Sequence, residues 1–175
     1  STVVIDDPLL TARPGDQEAE RQPLRVVVDS RGRTPPMARV LTGPAQTLVA
    51  TVEGAPEPWR ASLRAAGAEI LTFPAVDGRV DLLALLRELA GRDVLSLLVE
   101  GGGVMLGGFF DRGLVDKVHA VIAPLIIGAE DAPAAVAGQG AYRMADALRL
   151  RDITVERLGD DLLVTGYPDY PQAED

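Results

Sequence analysis

Glu100 heads the run Glu-Gly-Gly-Gly-Val-Met-Leu-Gly-Gly, residues 100–108. A carboxylate can accept hydrogen bonds or stabilise a positive charge, and bare glycine main chain lets an anion approach backbone N–H groups closely. The apolar residues before it, Leu95, Leu97, Leu98 and Val99, predict a buried strand. The segment that follows Gly101–Gly103 has helical spacing and stops at Asp111-Arg112-Gly113. A strand, a glycine turn and a helix start make an anion site, because free N–H groups and the positive helix end point at one spot. Glu100 is therefore expected at a buried sheet end, where a carboxylate needs a partner and where open α/β sheets bind ligands. The pattern G-x-G-x-x-G fails at Leu106. Gly102-x-x-x-x-Gly107 is followed by Gly108-Phe109 instead of Lys and Ser/Thr, which disfavours nucleotide hydrolysis. The plain alternative is a tight turn whose glycines only let helix and strand pack.

Further candidates lie earlier. Asp6-Asp7-Pro8 is followed by Leu9 and Arg13, and Ser30, Arg31 and Arg33 follow an apolar run. Hydroxyl and guanidinium groups in such a cluster suit a phosphate. Asp6-Asp7-Pro8 also reads as ordinary turn chemistry, and an isolated Arg13 as a surface residue. His119 falls inside a strand pattern and Trp59 near a helix start, both expected to be structural.

The elements that must position these groups alternate. Strands are predicted at 24–29 (LRVVVD), 47–51 and 69–72, and helices at 56–66 and after Asp81. On the second helix Leu82, Leu83, Leu86, Leu89 and Ala90 are expected to share the buried face, with Asp81 as its cap. Val3-Val4-Ile5 opens the chain as a strand or as the end of a helix–strand junction. Residues 118–127 read as a long strand interrupted by Pro124, residues 128–147 as loop, and 150–158 with 162–166 as a terminal hairpin turned at 159–161. This order is α/β with a mainly parallel sheet and an antiparallel C-terminal hairpin.

The 175 residues fit one domain, and 47% hydrophobic with 25% charged residues is ordinary globular composition. A net charge of −9 disfavours nucleic acid, so an anionic ligand needs a local pocket of Arg or backbone N–H groups. Sixteen of the basic residues are Arg, and Lys117 is the other. With one His and no Cys there is no His/Cys zinc site, so zinc-dependent deamination is excluded and no metal is expected. No apolar run is long enough to span a membrane.

Thr2-Val3-x-x-Asp6-Asp7-Pro8-x-Leu10-Thr11-x-Arg13 resembles the substrate motif of the reductase domain of bifunctional riboflavin-biosynthesis deaminase/reductase proteins. Val99-Glu100-Gly101-Gly102, Gly113-Leu114-Val115-Asp116 and Ala123-Pro124-Leu125-x-x-Gly128 resemble later motifs of that family, in the same order. The resemblance implies a three-layer dihydrofolate-reductase-like fold in one reductase domain, lacking the family's first strand and helix. It implies NADPH as hydride donor and 5-amino-6-(5-phosphoribosylamino)uracil, a small phosphorylated pyrimidine, as substrate. By position it assigns Thr2, Asp6, Ser30, Gly102, Gly103, Val104, Met105, Leu106, Gly107 and Gly108 to the cofactor. Leu9, Arg13 and Glu100 fall to the substrate, with Glu100 as the catalytic residue. A cytoplasmic homodimer is implied, with the apolar run 118–127 as its interface. The competing expectations are a phosphate- or nucleotide-binding module without chemistry, and reduction of a pterin.

Overall fold

The computed structural model describes residues 2–15, 17–128 and 131–171. The chain forms two compact units, Ser1–Leu97 and Leu98–Asp175.

The first unit is built on a parallel sheet. Strands β1 (Arg25–Val28), β2 (Thr47–Val52) and β3 (Glu69–Phe73) lie in the order β1-β2-β3. Val27 pairs with Val49 and Val49 with Ile70, which sets the register. Alternation along the strands sends side chains to two cores. Val27 and Val49 pack with Val40, Leu63 and Ala68 on one face. Leu48 and Ala50 pack with Phe73, Val80, Leu85 and Leu89 on the other. Leu63 belongs to helix α2 (Glu57–Ala65), and Leu85 and Leu89 to α3 (Leu82–Gly91), so a helix covers each face. Such double cover is what the near-continuous apolar strands require.

Asp81 caps α3 as expected, its carboxylate accepting the N–H groups of Leu83 and Ala84. The buried stripe differs from the expected one: it is Leu82, Leu85 and Leu89, and Leu83 is exposed. A short hairpin, β4 (Ala75–Val76) and β5 (Arg79–Val80), precedes α3. It turns at Asp77-Gly78, both at positive φ (51° and 70°), the geometry of a type I′ turn. At the N-terminus, Thr2–Ile5 forms one helical turn, α1. That is the helix-end alternative for Val3-Val4-Ile5.

In the second unit, helix α4 (Gly103–Phe110) is followed by an antiparallel sheet. Its strands β6 (Val118–Ile122), β7 (Arg149–Leu158) and β8 (Asp161–Asp169) lie in the order β6-β8-β7. The terminal hairpin falls where its turn signal placed it. Strand β6 ends at Ile122, short of the expected 127, since Pro124 has no N–H for a ladder bond.

The strand expected before Glu100 is absent. Residues 95–100 form no strand, and Leu95 and Leu98 are 97% and 73% exposed. The side-chain pattern is that of a buried strand, but a strand exists only where a neighbour supplies ladder hydrogen bonds. Among the described residues none pairs with this run.

Candidate functional site

Two regions carry the residues singled out by the sequence, one in each unit. In the first unit, residues 6–13 have no regular structure, and Asp7 and Leu10 sit at positive φ (40° and 50°). Non-glycine residues take such angles at a cost, and the surrounding structure must hold them there. Asp7 Oδ1 accepts the N–H of Arg39 at 2.8 Å. The Leu9 carbonyl accepts Arg25 Nη1 at 3.3 Å. Ala12 is held through both main-chain groups: its N–H donates to Gln22 Oε1 (2.9 Å) and its carbonyl accepts Gln22 Nε2 (3.2 Å). Arg13 is exposed, and among the described contacts its guanidinium donates to Thr11 Oγ1 alone, at 2.9 Å.

Nearby in the same unit, the loop after β1 is organised by Asp29. Its Oδ2 accepts the N–H groups of Arg33 (2.7 Å) and Thr34 (2.6 Å) and the Thr34 hydroxyl (2.7 Å), and Oδ1 accepts the N–H of Arg31 (3.1 Å). Burial pushes the Asp29 carboxyl up, but the bonds from Thr34, Arg31 and Arg33 outweigh it and hold its pKa below the ordinary Asp value. Trp59 Nε1 donates to the Thr34 carbonyl at 2.9 Å, and its ring underlies Gly32, where a Cβ would come within 3.2 Å. The Ser30 hydroxyl accepts the N–H of Val80 at 3.0 Å, tying the loop to β5. Arg31 and Arg33 are exposed and outside every ion pair among the described residues. Trp59 is thus structural, as expected.

In the second unit Glu100 is exposed, which corrects its expected burial at a sheet end and follows from the missing strand. Helix α4 starts from Gly102, whose carbonyl accepts the N–H of Met105 at 2.8 Å, and no side chain among the described residues caps its first turn. Those first N–H groups have no partner inside the helix. Each glycine has a distinct neighbour. A Cβ on Gly101 would meet Met105 Cβ at 2.7 Å. On Gly103 and Gly107 it would run into the carbonyl oxygens of Ala134 and Ala137. The segment 134–140 lies on α4, held by Ala137 N–H to the Gly103 carbonyl (2.9 Å) and by Gln139 and Gly140 N–H groups to the Asp111 carboxylate (2.9 and 3.2 Å). Gly103 and Gly107 therefore turn their Cα faces to protein main chain. Gly102 and Val104 are exposed. His119 Nδ1 meets Thr165 Oγ1 at 2.9 Å within the sheet, a structural role as expected.

Asp29, Gln22 and Arg25 were not among the expected residues. The acid after the run 24–28 is a visible signal for Asp29; the other two act through main-chain groups far away in sequence. Among the described residues no group of His, Cys, Asp and Glu could hold a metal, and no helix is long and apolar enough to cross a membrane.

The RibD C-terminal domain family matches residues 1–164. A protein of Methanothermobacter thermautotrophicus named 2,5-diamino-6-ribosylamino-4(3H)-pyrimidinone 5′-phosphate reductase is 43% identical over 94% of this chain and 74% of its own length. The riboflavin biosynthesis protein RibD of Bacillus amyloliquefaciens is 34% identical over 95% of this chain, which spans 44% of that protein. Among solved structures, RibD of Acinetobacter baumannii matches with a TM-score of 0.77 and 28% identity over 96% of this chain and 45% of that one. The riboflavin biosynthesis reductase Rib7 of Saccharomyces cerevisiae, 16% identical with a TM-score of 0.71, shares the fold.

Proposed function

The chain belongs to the RibD C-terminal domain family, and on that premise we propose that it reduces the ribosyl group of a 5-amino-6-ribosylaminopyrimidine 5′-phosphate to the ribitylamino product with NADPH. The likeness over 94% of the chain to a protein named for this reduction carries the reading. The expected 5-amino-6-(5-phosphoribosylamino)uracil and the 2-amino pyrimidinone named in the archaeal relative share the group that is reduced.

The chain's residues fit the donor. Arg31 and Arg33 stand exposed on a loop fixed by Asp29, a ready partner for a 2′-phosphate. NADPH, when bound, supplies a hydride. Ser30, Thr2, Asp6 and the main chain of Gly102, Gly103, Val104, Met105, Leu106, Gly107 and Gly108 are assigned to hold it. Arg13 binds the substrate's 5′-phosphate and Leu9 packs against the substrate. Hydride addition at C1′ requires the sugar ring open as an imine, and the protonated imine accepts hydride more readily. One hydride and one proton are consumed for each amine formed. Glu100 stabilises the positive charge of that iminium as a carboxylate. A cytoplasmic homodimer belongs to the same reading, with Leu125, Ile126 and Ile127 exposed beyond β6.

The test is turnover: NADPH oxidation with each of the two pyrimidine phosphates and with dihydropterin, alongside isolation of the ribitylamino product. Binding of NADPH and substrate without oxidation would make the protein a binding module, and oxidation with pterin alone would move the substrate class.

A further inference from the structure

The segment that bears Leu9 and Arg13 is shaped by side chains from outside it. Within residues 6–13 two non-glycine residues hold left-handed angles, and the segment has no secondary structure of its own to enforce them. Gln22 closes on Ala12 from both sides, accepting its N–H and donating to its carbonyl, and the same Nε2 also donates to Ala19 at 2.8 Å. Arg25 reaches three carbonyls, those of Leu9, Thr42 (2.8 Å) and Ala45 (2.5 Å). It is 3% exposed, and among the described residues its Nε has no partner and no carboxylate pairs with it. A buried cation held by carbonyl oxygens is an expensive way to join loops unless their conformation matters. Ala12 is the residue directly before Arg13, so what fixes the Ala12 peptide fixes where the Arg13 guanidinium starts.

We propose that Gln22 and Arg25 are positioning residues that set Arg13 and Leu9 for the substrate's phosphoribosyl group without touching substrate or cofactor. This rests on the reading that Arg13 binds the 5′-phosphate.

The experiment is a double-mutant cycle on the whole chain, with Arg13→Ala, Gln22→Ala and the pair, reading substrate KM, kcat, NADPH affinity and the melting temperature. Gln22→Ala is expected to raise KM about fivefold, the worth of a neutral hydrogen bond, with NADPH affinity unchanged. In the Arg13→Ala background the same change is expected to add less than about twofold, because the group it positions has gone. Gln22→Glu keeps an acceptor for Ala12 N–H but turns a carboxylate oxygen onto the Ala12 and Ala19 carbonyls, and is expected to raise KM at least as much as Gln22→Ala. Arg25→Lys keeps the charge, loses the reach to three carbonyls, and is expected to raise KM like Gln22→Ala. An unchanged KM in Gln22→Ala, or a full fivefold penalty retained in the Arg13→Ala background, overturns the proposal while the reading of Arg13 stands. A wild-type KM in Arg13→Ala alone overturns that reading, and the proposal with it.

Discussion

Two carboxylates each follow an apolar run, and they end up in opposite states. Asp29 follows Arg25–Val28 and turns back onto its own loop, where three N–H groups and a hydroxyl meet it. Glu100 follows 95–99 and stays exposed, while the turn beyond it is shaped by glycines pressed against main chain. The residues that come next make the difference. Residues 30–34 turn back so that the N–H groups of Arg31, Arg33 and Thr34 and the Thr34 hydroxyl reach the acid, whereas 101–103 run on into α4 and Glu100 accepts no hydrogen bond among the described contacts. An acid consumed by its own loop builds a scaffold, and one left free is available to a substrate. Removing each charge should therefore have opposite consequences.

The largest effect is expected at Glu100. Glu100→Gln should lower kcat by about 10²–10³-fold, the scale for losing one electrostatic group at a reacting centre. The melting temperature should stay at the wild-type value, because the side chain is exposed and has no hydrogen bond among the described contacts. Steady-state kinetics with a thermal melt checks both, and a Gln variant with wild-type kcat would reduce Glu100 to a surface residue.

Gly107→Ala places a methyl on the Ala137 carbonyl oxygen, and that neighbour is backbone, which cannot swing aside. The substitution should destabilise by about 3 kcal/mol, the upper end of overpacking. Denaturant unfolding measures it, and a wild-type midpoint would show that segment 134–140 leaves α4 freely.

Asp29→Asn tests the scaffold. The amide keeps one acceptor and loses the charge on which four donors converge, so a loss of about 2 kcal/mol is expected. The pH dependence separates charge from shape. The folded pKa of Asp29 lies below its ordinary value, so its contribution is present above about pH 4 and is lost as the pH falls through the folded pKa. Unfolding at neutral pH should therefore separate wild type from variant, and the gap should narrow below about pH 4. A gap independent of pH would assign the stabilisation to packing.

Much of this was legible and some was not. The Asp81 cap, the parallel strands, α2 and the terminal hairpin follow from signals carried by adjacent residues. The β4–β5 hairpin had one too, Asp77-Gly78, although the strands it joins are too short to show a period. The run 95–99 misleads because side-chain pattern reports what a strand would bury, and says nothing of who would bond its edges. The clamps on residues 6–13 are invisible for the same kind of reason: Gln22 and Arg25 act on main-chain carbonyls 10 to 20 residues away, and any residue type supplies a carbonyl.

The smallest expected effect concerns what the Asp29 scaffold is for. It holds the main chain of Arg31 and Arg33 by their N–H groups, leaving both guanidinium groups exposed. Two cations on a fixed turn favour a ligand with an extra phosphate, and the ordering they lose on binding is small because the backbone is already set. Wild-type protein should bind NADPH at least about tenfold more tightly than NADH, about 1.4 kcal/mol. In Arg31→Ala/Arg33→Ala that preference should vanish through weaker NADPH binding alone, with NADH affinity unmoved. Nicotinamide fluorescence titrations at low and high salt measure both, and the preference should shrink with salt as exposed charges are screened. Equal affinity for the two dinucleotides in wild-type protein would mean that Asp29 orders this turn for reasons of folding alone.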